Sequence, residues 1–148
     1  MIATRRSAVR LAAAALALIS IAAPAWSAPP EWDPKQVLAL AERLAKALDE
    51  VEAAAREAPP QATALQQRKR DAALSGFHRV REAAHAYVSR LKAGWDRDMT
   101  AAYFRSVRDG VRDARASARD AVPSEQVDEK FRAADQALDE LSSFYPDA

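Results

Sequence analysis

The sequence predicts an all-α fold, an antiparallel up-down-up-down four-helix bundle preceded by a cleavable signal peptide. The N-terminus has the basic segment, apolar run and small residues that are typical of export signals. Helix-breaking residues at Pro59-Pro60, Gly94 and Pro123 divide the rest of the chain into four segments. Each segment carries apolar residues at alternating spacings of three and four, and none shows the period of two that indicates a strand.

Residues 1–27 are predicted to be the signal peptide. The basic stretch MIATRRSAVR precedes the apolar run LAAAALALISIAA, and APAWSA supplies small residues for cleavage after Ala25 or Ser27. The apolar run is shorter than the roughly 20 residues of a comfortable membrane span, so we expect no transmembrane span in the mature chain. The expected location is the periplasm or the extracellular medium. Arg5 and Arg6 leave both general and twin-arginine export open.

The helices are predicted within a domain that spans 31–146, and each begins at a residue that suits an N-cap. Their expected ranges are about 34–57, 63–92, 97–121 and 125–143. Their candidate N-caps are Asp33, Thr63, Asp96 or Asp98, and Ser124. The first is followed by Pro34, which is favoured at the first helical position. Short connections favour antiparallel neighbours, and the alanine-rich seams favour close packing with little room for a cofactor.

Few residues are suited to catalysis or to cofactor binding. The chain contains no cysteine, which excludes disulfides, thiolate metal sites and covalent haem attachment. His78 and His85 lie one heptad apart, about 10.5 Å along a helix, which is too far for both to chelate one metal ion. Met99 is not expected level with either histidine, which disfavours haem. Because nucleophile and phosphate-loop motifs are also missing, we expect no enzymatic activity and no cofactor.

The formal charge differs from segment to segment. The second has seven bases and two acids, and the fourth has two bases and seven acids. The first is acidic and the third is nearly balanced, so segments of opposite charge become neighbours in an antiparallel bundle. Without the three arginines of the leader, 19 lysines and arginines stand against 21 acids. This balance argues against nucleic acid as a partner, since a strongly basic domain would be needed.

The stretch RSVRDGVRDARASARD places five arginines on one side of the third helix. They are Arg105, Arg108, Arg112, Arg115 and Arg119. Like charges four residues apart destabilise a helix by about 0.2–0.5 kcal/mol per pair, so this stripe requires acidic neighbours. The fourth helix offers Asp128, Asp135 and Asp139 on the flank that faces it. We expect at least one ion pair between these two sets.

A basic cluster at the start of the second helix is the candidate partner surface. It consists of Arg68, Lys69 and Arg70. The first helix offers few carboxylates near it, so these cations form either a solvated face partly paired with the first helix or a docking surface for a protein or another anionic partner.

A candidate apolar groove is predicted where the third helix begins and the fourth ends. Because these two helix ends share one pole, aromatic residues from distant parts of the chain meet there. Aromatic residues near the helix ends, among them Phe144 and Tyr145, are expected to close the bundle as apolar lids; if a groove is present instead, its walls are predicted to be Tyr103, Phe104, Phe144 and Tyr145.

These features favour an exported helical-bundle protein that binds protein or other anionic partners without catalysis. The alternative is a small-ligand, metal or haem carrier in a periplasmic four-helix bundle. The visible absorption spectrum and the metal content of the purified protein separate the two hypotheses. The sequence leaves the identity of the partner and the oligomeric state open.

Overall fold

The computed structural model describes residues 30–60 and 62–148, so the predicted signal peptide lies outside the described residues. The described chain forms four helices that pack together, and it contains no strand. The helices are α1 (Pro34–Glu57), α2 (Ala64–Lys92), α3 (Arg97–Ala121) and α4 (Glu125–Ser142). The prediction of an all-helical chain with four helices is confirmed. None of these helices is both long enough and apolar enough to cross a membrane.

Side-chain caps explain where three of the helices begin. The carboxylate of Asp33 accepts hydrogen bonds from the backbone amides of Lys35 and Gln36, at 2.9 and 3.3 Å. Thr63 and Asp96 accept similar bonds in the first turns of α2 and α3. Such bonds satisfy amides that have no partner within the helix.

Ion pairs between helix ends show that neighbouring helices run in opposite directions. Each pair joins the first part of one helix to the last part of its neighbour. The pairs are Lys92–Glu42 for α2 and α1 at 2.8 Å, Lys69–Asp120 for α2 and α3 at 3.0 Å, and Arg43–Glu140 for α1 and α4 at 2.5 Å.

The predicted apolar seams form one shared core. Phe77 of α2 meets Phe131 of α4 edge to face, with ring centroids 5.8 Å apart. Phe104 of α3 stacks on Tyr145, which follows α4, at 4.4 Å. Much of the remaining core is alanine, including Ala41 and Ala55, which are almost fully buried. Aromatic rings therefore fill the core at a few levels along the bundle, and at the other levels alanine side chains leave little space between the helices.

The helices are not evenly spaced. A Cβ atom added at Gly110 of α3 would lie 2.9 Å from Cγ2 of Val80 on α2, so these backbones meet closely. In contrast, α3 approaches α4 much less closely than the other neighbouring helices approach each other. The Phe104–Tyr145 stack closes one end of this gap, and an open groove extends from there towards the end of α3.

Candidate binding surface

The basic cluster at the start of α2 is not a free surface. Arg70 is only 8% exposed, because its side chain crosses to the end of α1. There its Nη2 atom donates to the carbonyl oxygens of Ala55, Arg56 and Ala58, at 2.7–3.2 Å. A cation at the C-terminal end of a helix satisfies carbonyl groups that have no helical partner and is favoured by the helix dipole. Arg70 is thus a C-cap for α1, which corrects the prediction that a partner could bind it.

The other two members of the cluster differ in their surroundings. Lys69 forms its ion pair with Asp120, and only Arg68 remains exposed without a carboxylate partner within 4 Å in the described chain. One exposed arginine does not make an extended basic surface. Asp120 of α3 supplies the acidic partner of Lys69, and backbone carbonyls at the end of α1 supply the acceptors for Arg70.

The predicted apolar groove is filled by its own residues. Phe104, Phe144 and Tyr145 are buried, at 0–3% exposed. Tyr103 is partly exposed and packs against Trp95, with centroids 5.8 Å apart. The aromatic residues therefore close the pole rather than line an opening, because Tyr145 inserts beside Phe104.

Three hydroxyl groups are linked inside this pole. The hydroxyl of Tyr145 lies 2.7 Å from that of Tyr87 and 2.8 Å from that of Thr100. Burial raises the pKa of Tyr87 above its ordinary value, and the hydrogen bond to Tyr145 acts in the same direction. Burial also raises the pKa of Tyr145, against the opposing effect of its hydrogen bonds to Thr100 and Tyr87. These hydroxyls hold the segment after α4 against α2 and α3.

Nothing in the sequence pattern indicated that the carboxylate of Glu52 on α1 is buried. The side chain of Glu52 is 4% exposed and contacts Arg56, Arg81 and His78. His85 contacts Asp49 at 3.0 Å. The described residues contain no group of three histidines or acids that could hold a metal ion. Both histidines are exposed side chains that face carboxylates of α1, so neither points into the core as a haem ligand would.

An open groove runs between α3 and α4. The part of the groove that runs along α3 from Arg108 to Arg119 has a volume of about 570 Å³. Arg108, Arg112 and Arg119 of the predicted stripe line its α3 side, and Val111 of α3 and Leu138 of α4 contribute its apolar surface. A second hollow of about 550 Å³ continues past Arg119 to the turn between the two helices.

One cross-helix ion pair bridges the groove, between Arg115 and Asp135. Arg108 instead donates to the backbone carbonyl of Ala148 and contacts Asp109 of its own helix. These two arginines are therefore held by groups of the protein itself.

The remaining arginines of the stripe lack partners on α4. The side chain of Arg112 is 78% exposed and contacts only Asp109, at 3.7 Å. Arg105 and Arg119 are exposed, and in the described chain neither has a carboxylate within 4 Å. The same holds for Asp128 and Asp139 with respect to cations. The large separation of α3 from α4 keeps these groups from meeting across the gap.

Comparison with known proteins identifies no relative of this chain. No protein family matches the chain, and neither a curated protein nor a solved structure does so.

Proposed function

We propose that this protein is an exported antiparallel four-helix bundle that binds an anionic protein partner, without catalysis, along the groove between α3 and α4. The single observation that carries the proposal is the exposed arginine stripe of α3. Arg105, Arg112 and Arg119 have no ion pair with α4, although α4 is an acidic helix. Cations carried on a packed helix beside an open groove are suited to an acidic partner, because the helix sets their spacing along one face before binding.

The shape of the groove supports a macromolecular partner. It is long and shallow and follows α3 for about three turns, from Arg108 to Arg119. A helix or a strand of a partner matches such a form better than a small molecule does, since small molecules are usually enclosed on most of their surface. Val111 and Leu138 give the groove an apolar surface, and the arginines beside it add the positive charge that favours an acidic partner.

The predicted signal peptide supports export, and cell fractionation with N-terminal sequencing tests it. We expect the full chain, produced with a C-terminal tag in a Gram-negative host, to appear in the periplasmic fraction. N-terminal sequencing of that material should show cleavage after Ala25 or Ser27. Retention of an intact N-terminus in the cytoplasm would contradict export.

Binding is tested with the mature protein immobilised and exposed to an envelope extract of its source. We expect it to retain an acidic protein. The R112E/R119E variant should lose this protein, because both exposed cations of the groove become anions. The control is R68E/R79E, which reverses the same number of exposed arginines on α2. Equal retention by the two variants would contradict the proposed surface.

A further inference from the structure

The face formed by α3 and α4 carries cations mainly on α3 and anions mainly on α4, with Asp109 of α3 and Arg132 of α4 as the exceptions. The flank of α3 presents Arg112 and Arg119, and the flank of α4 presents Asp128 and Asp139. All four side chains belong to exposed residues, and none has an ion pair across the groove in the described structure. A purely anionic ligand would therefore meet attraction from α3 and repulsion from α4.

The heights of these charged side chains along the helix axes follow from helical geometry. The ion pair between Arg115 and Asp135 defines a common level. Because the helices are antiparallel and rise 1.5 Å per residue, Arg112 lies about 4.5 Å from this level and Asp139 about 6 Å, on the same side. On the other side, Arg119 lies about 6 Å away and Asp128 about 10.5 Å. Arg112 thus has the exposed Asp139 near its own height, whereas Arg119 has both Arg132 and Asp128 of α4 within about 5 Å of its height.

A partner that satisfies both flanks must present acids opposite α3 and bases opposite α4, at these same heights. The protein itself presents such a surface. We propose that the partner of this groove is a second copy of this chain, docked face to face about a twofold axis parallel to the helices. This inference rests on the proposed function and identifies the anionic partner as the acidic flank of α4 in the second copy.

The direction of the axis follows from the charges. Rotation about an axis parallel to the helices keeps every residue at its height and places α3 of one copy opposite α4 of the other. Arg112 of each copy then faces Asp139 of the other. A twofold axis across the helices would instead place α3 against α3 and bring arginine opposite arginine. Only the first arrangement is both self-complementary and attractive.

The interface should depend strongly on ionic strength. It joins exposed charges, and such pairs contribute little each and are screened by salt. The Debye length falls from about 30 Å at 0.01 M salt to about 3 Å at 1 M. The dimer is therefore expected at low salt and should dissociate as salt is added.

Sedimentation velocity on the mature protein tests the inference. At about 0.01 M salt we expect a dimer, and at about 1 M a monomer. The single variants R112E and D139R should be monomeric at low salt, because each places two like-charged pairs in the interface. Circular dichroism checks that both variants keep the helical content of the parent. The control R79E, a charge reversal on α2, should remain dimeric.

The decisive measurement mixes the two monomeric variants in equal amounts. In the mixed dimer, Glu introduced at 112 faces Arg introduced at 139, and the native Asp139 of the first variant faces the native Arg112 of the second. Both contacts are attractive, so the mixture should regain the dimer that neither variant forms alone. If either substitution acted only within its own chain, mixing the two variants would not restore the dimer.

Three results would overturn the inference: a monomeric parent at low salt, single variants that remain dimeric, or a mixture that stays monomeric. The proposed function fails separately. If the parent is monomeric but retains an acidic protein that R112E/R119E loses, the groove binds a different partner. If the parent is monomeric and capture does not depend on the stripe, both proposals are wrong.

Discussion

The two flanks of α3 show opposite ways of meeting a neighbouring helix. Towards α2, α3 presents Gly110 and Ser106, and the backbones approach until Val80 nearly fills the space above Gly110. Towards α4, the same helix presents Arg108, Arg112 and the other arginines of the stripe, and the helices stand apart. Small residues permit close approach, whereas long charged side chains need space and access to water. The spacing of these helices therefore follows the size of the flank residues.

The ion pairs of α4 follow the same rule. On its α1 side, Ala134 and Ala137 are fully buried, and Lys130 reaches Glu50 of α1 at 2.9 Å. This hydrogen bond to Lys130 lowers the pKa of Glu50. On its α3 side, Asp128 and Asp139 find no cation within 4 Å in the described structure. Across this wider gap Asp135 alone of the three aspartates reaches an arginine of α3, so complementary charge by itself does not bring the two helices close.

The largest contrast is expected between two arginines that join helices in different ways. Arg70→Met should lower the free energy of unfolding by about 2–3 kcal/mol, since it leaves carbonyls at the end of α1 without a charged donor. Arg115→Met should cost at most about 1 kcal/mol, because Asp135 can turn to water. Urea denaturation measures both. Equal losses would mean that the open side is as tightly held as the α1–α2 side.

A smaller contrast should separate the two flanks of α3 when a large apolar residue is introduced. Gly110→Leu forces the new side chain against Val80 of α2, and we expect a loss of about 2 kcal/mol. Ala116→Leu adds a similar volume on the exposed side that faces the groove, and it should change stability by no more than about 0.5 kcal/mol. Thermal unfolding provides the comparison. The assignment of a tight and a loose flank is wrong if Ala116→Leu is the more harmful change.

The aromatic pole, where Tyr145 closes the gap between α3 and α4, should be sensitive to alkaline pH. Burial holds the pKa of Tyr87 above the unfolded value of 10.0, so the folded state retains a proton that the unfolded state loses. This contribution is fully present below pH 10 and decreases above it, by about 1.4 kcal/mol per pH unit. Urea denaturation between about pH 10 and 11.5 should therefore show a shallower decline for Tyr87→Phe than for the parent. Tyr103→Phe, at a partly exposed site, is the control, and identical slopes for Tyr87→Phe and the parent would contradict this account.

The smallest effect is expected at the one ion pair that crosses the groove. Asp135→Asn should lower the free energy of unfolding by about 0.2–1 kcal/mol, since both partners are near 30% exposed and regain water when separated. The matched change on the close side is Glu52→Gln, whose carboxylate is buried and contacts Arg56 and Arg81. That change should cost more, about 1–3 kcal/mol. The ranking of the two sides is reversed if Asp135→Asn is the costlier substitution.

The helices themselves could be predicted because their signals are local. Asp33 and Asp96 act on amides two or three residues away, and the apolar spacing of each helix is visible without its neighbours. The role of Arg70 could not be predicted, because the carbonyls that it binds are 12–15 residues away in sequence. Burial of Glu52 was missed for a related reason. Its environment depends on how α2 is rotated against α1, and a helical period does not define that rotation.

The candidate site shows the same division. The arginine stripe and the acidic flank of α4 are periodic features, and the sequence alone places each on one side of its helix. Whether the stripes touch depends on the distance between the helices, which the summed packing of all four decides. Tyr145 and Phe104 set it at one end, and the close contact at Gly110 draws α3 towards α2. The sequence by itself therefore determined the helices and their charged faces. Only the tertiary structure decided that Arg105, Arg112 and Arg119 stay exposed without a partner on α4. The physical reason is that the volume of the side chains on one flank of a helix affects the width of the gap on its other flank.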